Sequence, residues 1–344
     1  MALHGLFARL NCREYKNWMK AGHCLLLLQS RLQGYIDKEM QAFHRQLANT
    51  VTASRQRRCQ CRAKGKQFVP SCPVCAQWKN IILAHHNNRN GEVHWGNSDP
   101  SLWSTRYWEV AKVYMPRGQA HFNGPQECDA AALLNLINNC DHFRVSNISR
   151  VREVIKCRNE LFHSYDMKVS SSWLKTFEQK MHNLISEFTH VPGLVGDGKK
   201  MQKVLVSDWN VEDSGIYEVD GPQVTLQSRL TSHQPSSTYD TSLSSHMVER
   251  LMIQQLIQDL YLEIEEHGSL TKKDIEKVGS LKAFLAQNQD LQFVFQEDIE
   301  NLDRLCKDHV AISEEGWIHT RRAAVFFVVV LLAYLTAFFL SQGH

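Results

Sequence analysis

Four cysteines carry the most specific chemistry in this chain. Cys59, Cys61, Cys72 and Cys75 follow the pattern C-x-C-x10-C-x2-C. A C-x2-C knuckle presents two thiolates from one tight turn, and a second pair can complete a tetrahedron around zinc. Pro73, inside the knuckle, restricts that turn. The expectation is a structural Zn2+ site built on Cys61, Cys72 and Cys75, with Cys59 as fourth ligand. If Cys59 stands aside, His85, His86 and His94 offer substitutes, with His94 the alternative fourth ligand. A redox dithiol is the competing reading, but such motifs open a helix behind a strand, and no strand-like run precedes this one. No glutamate in a metalloprotease-type motif accompanies the cysteines, which argues against a catalytic metal. The same stretch is basic: Arg55, Arg57, Arg58, Arg62, Lys64 and Lys66 lie close together with no acid among them. They form either a solvated loop or a sequence-blind contact for RNA phosphates or lipid headgroups.

A second constellation sits in Lys156-Cys-Arg158-Asn159-Glu-Leu-Phe-His163. On a helical wheel Arg158 shares a stripe with Val151, Val154, Ile155 and Phe162, which is costly for a guanidinium unless an anion or partner receives it. Asn159 and His163 are four residues apart, one above the other near the helix end. Together they could cleave RNA without metal: Arg158 would neutralise the transition state, His163 would move a proton, and Asn159 would hold a phosphate oxygen. The structural reading pairs Arg158 with a carboxylate and leaves His163 at a helix C-terminus, where the dipole favours it.

Helices must position both groups. Trp18, Leu25, Leu28, Leu32, Ile36, Phe43 and Leu47 recur at helical spacing over residues 13–48, as one long helix or two in series, with Gly22 and Gly34 as possible breaks. Further helices are expected over Ala76 to His86, around Ser104 to Tyr114, over 127–140, Asn147 to His163 and Ser172 to Phe188, the last capped among Ser170 to Ser172. Trp78, Trp95, Trp103 and Trp108 are expected to fill a small core around the metal module. From Pro192 to about Ser245 composition shifts to Gly, Ser, Thr, Gln and Asp without a period, as in a linker. Leucine stripes return at 246–266 and 271–310, broken near Asn288, and suggest a helical hairpin or coiled coil.

Arg158-Asn-x3-His163 between two apolar helices resembles the signature of the HEPN superfamily, in particular the HEPN domain of the DAZ-interacting zinc-finger ubiquitin ligases. That resemblance implies a four-to-five-helix bundle, a homodimer and a metal-independent RNase site shared across the dimer. Many vertebrate HEPN domains serve instead as binding or dimerisation modules. No eight-ligand RING pattern is present, so ubiquitin ligation is not implied. The stretches Glu14 to Leu28, Asn88 to Gly91, His94 to Asn97 and Trp108 to Lys112 also resemble an uncharacterised vertebrate family named for an X-chromosome open reading frame.

At whole-chain scale, 344 residues with 39 basic against 36 acidic side chains exclude a uniformly basic nucleic-acid coat and an acidic disordered tail. Negative mean hydropathy excludes a polytopic membrane protein. It leaves room for one span, and Ala323 to Leu340 carries no charge and would reach roughly 27 Å as a helix. Arg321 and Arg322 on its N-terminal side predict a cytosolic body. The sequence therefore predicts a mainly α chain: a HEPN-like bundle over 1–192 with a Cys-rich insertion at 55–95, a linker over 193–245, a helical segment over 246–310 and a tail anchor at 323–340. The membrane expected is the endoplasmic reticulum ahead of the mitochondrial outer membrane. The function expected is RNA binding with cleavage by a dimer, or a non-catalytic adaptor for protein partners.

Overall fold

A computed structural model of the chain describes residues 9, 11–52, 59–87, 92–164, 166–207, 245–267 and 271–307. Contacts divide the chain into two units, Leu3–Ile253 and Gln254–His344. The described regular structure is helical, with only isolated bridges at Lys64–Gln67 and His86–Cys140.

The first unit is organised on α1 (Arg13–Thr50), which runs unbroken through both glycines. Trp18, Leu28, Leu32, Ile36, Met40, Phe43 and Leu47 are buried along one stripe, as its spacing requires. Gly22 is where the helix needs a missing side chain: a Cβ there would come within 1.8 Å of Met252 Sδ. Three segments lie beside this axis before the bundle closes: α2 (Pro73–Ala84), α3 (Tyr107–Ala111) and the 3-10 turn Lys112–Tyr114. The bundle continues through α4 (Ala130–Asn139), α5 (Ile148–Phe162), α6 (Ser171–Glu187) and α7 (Leu194–Val206). Consecutive members of this set pack on one another, and each also packs on α1. Their starts are chemically marked. Asp129 accepts from Ala132 N–H, Asn147 from Ser149 N–H and Ser170 from Trp173 N–H, each satisfying a donor that a helix start leaves open.

Helix α7 lies inside the stretch whose composition reads as linker. Gly196 and Gly198 dilute the periodic signal, yet Leu194, Asp197, Met201 and Leu205 are buried on one face. The first turns of α8 (Ser245–His267) also belong to the first unit: buried Glu249 accepts from Arg9 Nε at 2.8 Å and from Tyr15 Oη at 2.5 Å. In the second unit, α9 (Lys272–Gln287) opens with a Thr271/Asp274 capping box, and Asn288 separates it from helical residues 289–307. Lys277 with Glu263 and Lys282 with Asp303 tie these segments together.

The expected transmembrane helix is corrected. No helix among the described residues is long and apolar enough to cross a membrane. The longest, α1, has the length but carries Glu14, Lys16, Arg31, Asp37, Lys38 and Arg45 along its course. The expected span at 323–340 lies outside the described residues. The tail anchor, and the placement at the endoplasmic reticulum or mitochondrial outer membrane that rested on it, is therefore withdrawn.

Candidate functional site

Gly65 and its neighbours shape the four-cysteine module. Lys64 and Gln67 exchange backbone hydrogen bonds at 3.1 and 2.9 Å around Gly65, whose φ of 53° suits a residue without Cβ. The chain then reaches Cys72, the N-cap of α2, whose Sγ accepts from Cys75 N–H at 3.4 Å. Pro73 occupies the first helical position, where no donor is lost.

These turns bring all four cysteines together. The Sγ atoms of Cys59, Cys61, Cys72 and Cys75 lie within 4.8 Å of one another. Cys59 is 3.3 Å from Cys75 and 3.7 Å from Cys72, and Cys61 is 3.7 Å from Cys72. Four sulfurs at about 2.3 Å from one ion would stand about 3.8 Å apart, so the spacing fits a tetrahedral thiolate site. Amide donors face the sulfurs: Cys61 N–H reaches Cys59 Sγ at 3.4 Å and Ser71 N–H reaches Cys61 Sγ at 3.2 Å. Burial pulls the Cys61 thiol upward, but hydrogen bonds from the Ser71 hydroxyl and N–H, then from Cys59 and Cys72, bring it down to about 6. Burial pushes both Cys59 and Cys75 upward. The ionised form is thus favoured at Cys61 and disfavoured at Cys59 and Cys75, where a bound cation would offset the cost of burial. The group could hold a metal ion.

The histidines proposed as substitutes stand apart from this group. His94 is the N-cap residue of a 3-10 turn at Trp95–Asn97 and is not among the clustered ligands. His85 Nδ1 pairs with Asp141 at 2.8 Å, and buried His86 stacks on Tyr114. Cys59 therefore completes the set.

An aromatic core fixes the module to the bundle. Phe68, Trp95 and Trp103 meet at ring separations of 5.3 to 6.0 Å, with Lys79 Nζ over the first two rings. Trp103 donates Nε1–H to Ser98 Oγ at 2.7 Å, and Trp78 stacks on His44 of α1. Buried Glu109 accepts from Asp99 N–H at 2.7 Å and pairs with buried Lys112 at 2.9 Å.

Of the six expected phosphate contacts, Arg55, Arg57 and Arg58 lie outside the described residues. Arg62 approaches Asp99 at 3.8 Å and Lys66 pairs with Glu92 at 2.5 Å, both in exposed settings. Lys64 occupies the hairpin turn. Acids that sequence spacing does not reveal thus face two of the three described cations.

Arg158, Asn159 and His163 separate by environment. Arg158 is buried in α5, donates to Asp129 Oδ2 at 2.8 Å and lies 4.5 Å over the Phe162 ring. Asp129 uses its other oxygen to cap α4, so one carboxylate joins two helices. Asn159 and His163 are exposed, and His163 ends α5 with its N–H on the Asn159 carbonyl at 2.9 Å. The stripe position of Arg158 was legible, but its partner sits 29 residues earlier, beyond helical spacing. Sequence reasoning missed the Glu249 cluster altogether.

No solved structure matches this chain. A mouse protein described as "Uncharacterized protein CXorf38 homolog" is 45% identical over 314 residues, spanning 90% of this chain and 95% of that protein. This supports the resemblance to the X-chromosome open-reading-frame family. It gives none to the HEPN resemblance or to the HEPN and RNA-binding terms drawn from it, which are withdrawn. A family model described as "Domain of unknown function (DUF4559)" matches residues 9–315. The chain belongs to that family.

Proposed function

We propose that this chain is a helical protein stabilised by a structural zinc site, without catalytic chemistry of its own. The observation that carries the reading is the four-sulfur group, spaced for a tetrahedral ion and met by backbone N–H donors. It buttresses the aromatic core beside α1 and offers no ligand position open to substrate, which is the pattern of a structural site. The Arg158–Asp129 pair supports the absence of chemistry, because a guanidinium neutralised within its own bundle is not available to a phosphate.

Elemental analysis of the purified full chain tests the metal, with about one zinc per chain expected and a loss on Cys61→Ser or Cys72→Ser. A folded protein that binds no zinc would refute it. Incubation with single-stranded RNA in chelator tests the second half. Intact RNA is expected, from wild type and from His163→Ala alike. Cleavage that His163→Ala and Arg158→Ala both abolish would overturn the non-catalytic reading and restore the paired-copy RNase.

A further inference from the structure

A cleft of about 420 Å³ opens in the first unit between the end of α4 and the start of α5, with none of the four clustered cysteines in its lining. That volume is within the range of about 300–1,000 Å³ typical of small-molecule sites. Val145 and Ile148 supply partly exposed apolar surface over buried Ile137, and Arg144 and Arg152 supply two guanidinium groups. The lining carboxylate, Asp141, is turned to His85 at 2.8 Å. Arg152 donates Nε–H to Asn138 Oδ1 at 2.8 Å, a neutral acceptor that leaves its charge uncompensated. Among the described residues no carboxylate pairs with Arg144 or with Arg152.

Arg144 is also held in the left-handed region, with φ 47° and ψ 47°. A non-glycine residue pays for that conformation, and glycine would occupy the position more easily. The chain nevertheless presents an exposed arginine there. A cation held in a costly backbone conformation, in a cleft that a second cation also lines, points to function.

We propose that this cleft binds a phosphomonoester carrying an apolar or aromatic body. A phosphomonoester at neutral pH carries close to two negative charges, the complement of two guanidinium forks. Its organic body would lie on Val145 and Ile148, which a free inorganic anion would leave uncovered.

Titration calorimetry of the full chain at low salt with phenyl phosphate, inorganic phosphate and phenol tests this. Phenyl phosphate should bind at least tenfold more tightly than either of the others, and salt should weaken it. Arg144→Gly should lose at least tenfold in affinity while its Tm stays level or rises, because glycine relieves the backbone. Arg152→Gln, which keeps a donor for Asn138, should lose a similar factor. Arg45→Ala removes an exposed cation outside the cleft and should bind as wild type does. Absence of phenyl phosphate binding would overturn the proposal. So would inorganic phosphate matching phenyl phosphate, unchanged affinity in Arg144→Gly, an equal loss in Arg45→Ala, or a large fall in the Tm of Arg144→Gly.

Discussion

Arg158 and Glu249 are both buried charges whose partners lie far away in sequence, and each makes a prediction. Arg158 and Asp129 are only 7% and 20% exposed, so removing the guanidinium takes the charge partner from a largely buried carboxylate. Arg158→Ala should cost about 3 kcal/mol in urea unfolding. Asp129→Asn should cost less than Asp129→Ala, because asparagine still caps α4 and alanine does not. Equal costs would mean that the charge pair, and not the cap, carries the whole effect. Glu249 is completely buried. Burial alone would raise its carboxyl, but hydrogen bonding from His246, the charge of Arg9 and the Tyr15 hydroxyl outweigh it and hold the group below its ordinary value. A depressed folded value means stability that is fully present above the unfolded value of about 4.3 and lost as pH falls through the folded one. The stability gap between wild type and Glu249→Gln should therefore narrow below about pH 4. A gap independent of pH would assign Glu249 a packing role only.

Among the elements, α1 shows what sequence spacing conveys and what it omits. Its stripe of Trp18, Leu28, Leu32, Ile36 and Phe43 was readable because burial on a helix must recur at 3.6 residues. The glycines within it looked like breaks, yet Gly22 serves as a socket for Met252, a partner brought by distant chain. Gly22→Ala should destabilise the protein despite better helix propensity, since buried Met252 must move. Pairing it with Met252→Ala should recover part of the loss, a non-additivity measurable in a double-mutant cycle. Helix α7 was illegible for the opposite reason: Gly196, Gly198 and the lysines around them mask four buried positions. The cysteine module was legible because its ligands are local, and only the choice of fourth ligand needed three dimensions. With zinc bound there as proposed, chelation should change tryptophan fluorescence, through Trp95 and Trp103 beside Phe68, while far-UV circular dichroism keeps most of its helical signal. Loss of the helical signal in parallel would make the metal a support for the whole bundle rather than for the insertion.

For the whole molecule, the informative contact is the one that closes the first unit. Residues 245–253 come after the undescribed stretch 208–244, yet they place Glu249 against Arg9 and Tyr15 and Met252 against Gly22. A chain cut after Ser207 keeps every helix from α1 to α7 but removes the acceptor for a buried arginine and tyrosine and opens a void at Gly22. Losing the buried hydrogen bonds to Glu249 and losing a buried methionine each carry a cost of about 1–3 kcal/mol. The fragment 1–207 should therefore unfold at lower temperature than 1–267, and a peptide of residues 243–267 added in trans should raise its Tm in a concentration-dependent way. The same peptide carrying Glu249→Ala should restore less, because Arg9 and Tyr15 would then be covered by a surface that cannot accept their hydrogen bonds. If 1–207 melts where 1–267 does, the start of α8 rests on the first unit without stabilising it. The boundary between the units would then belong before Ser245 rather than inside α8.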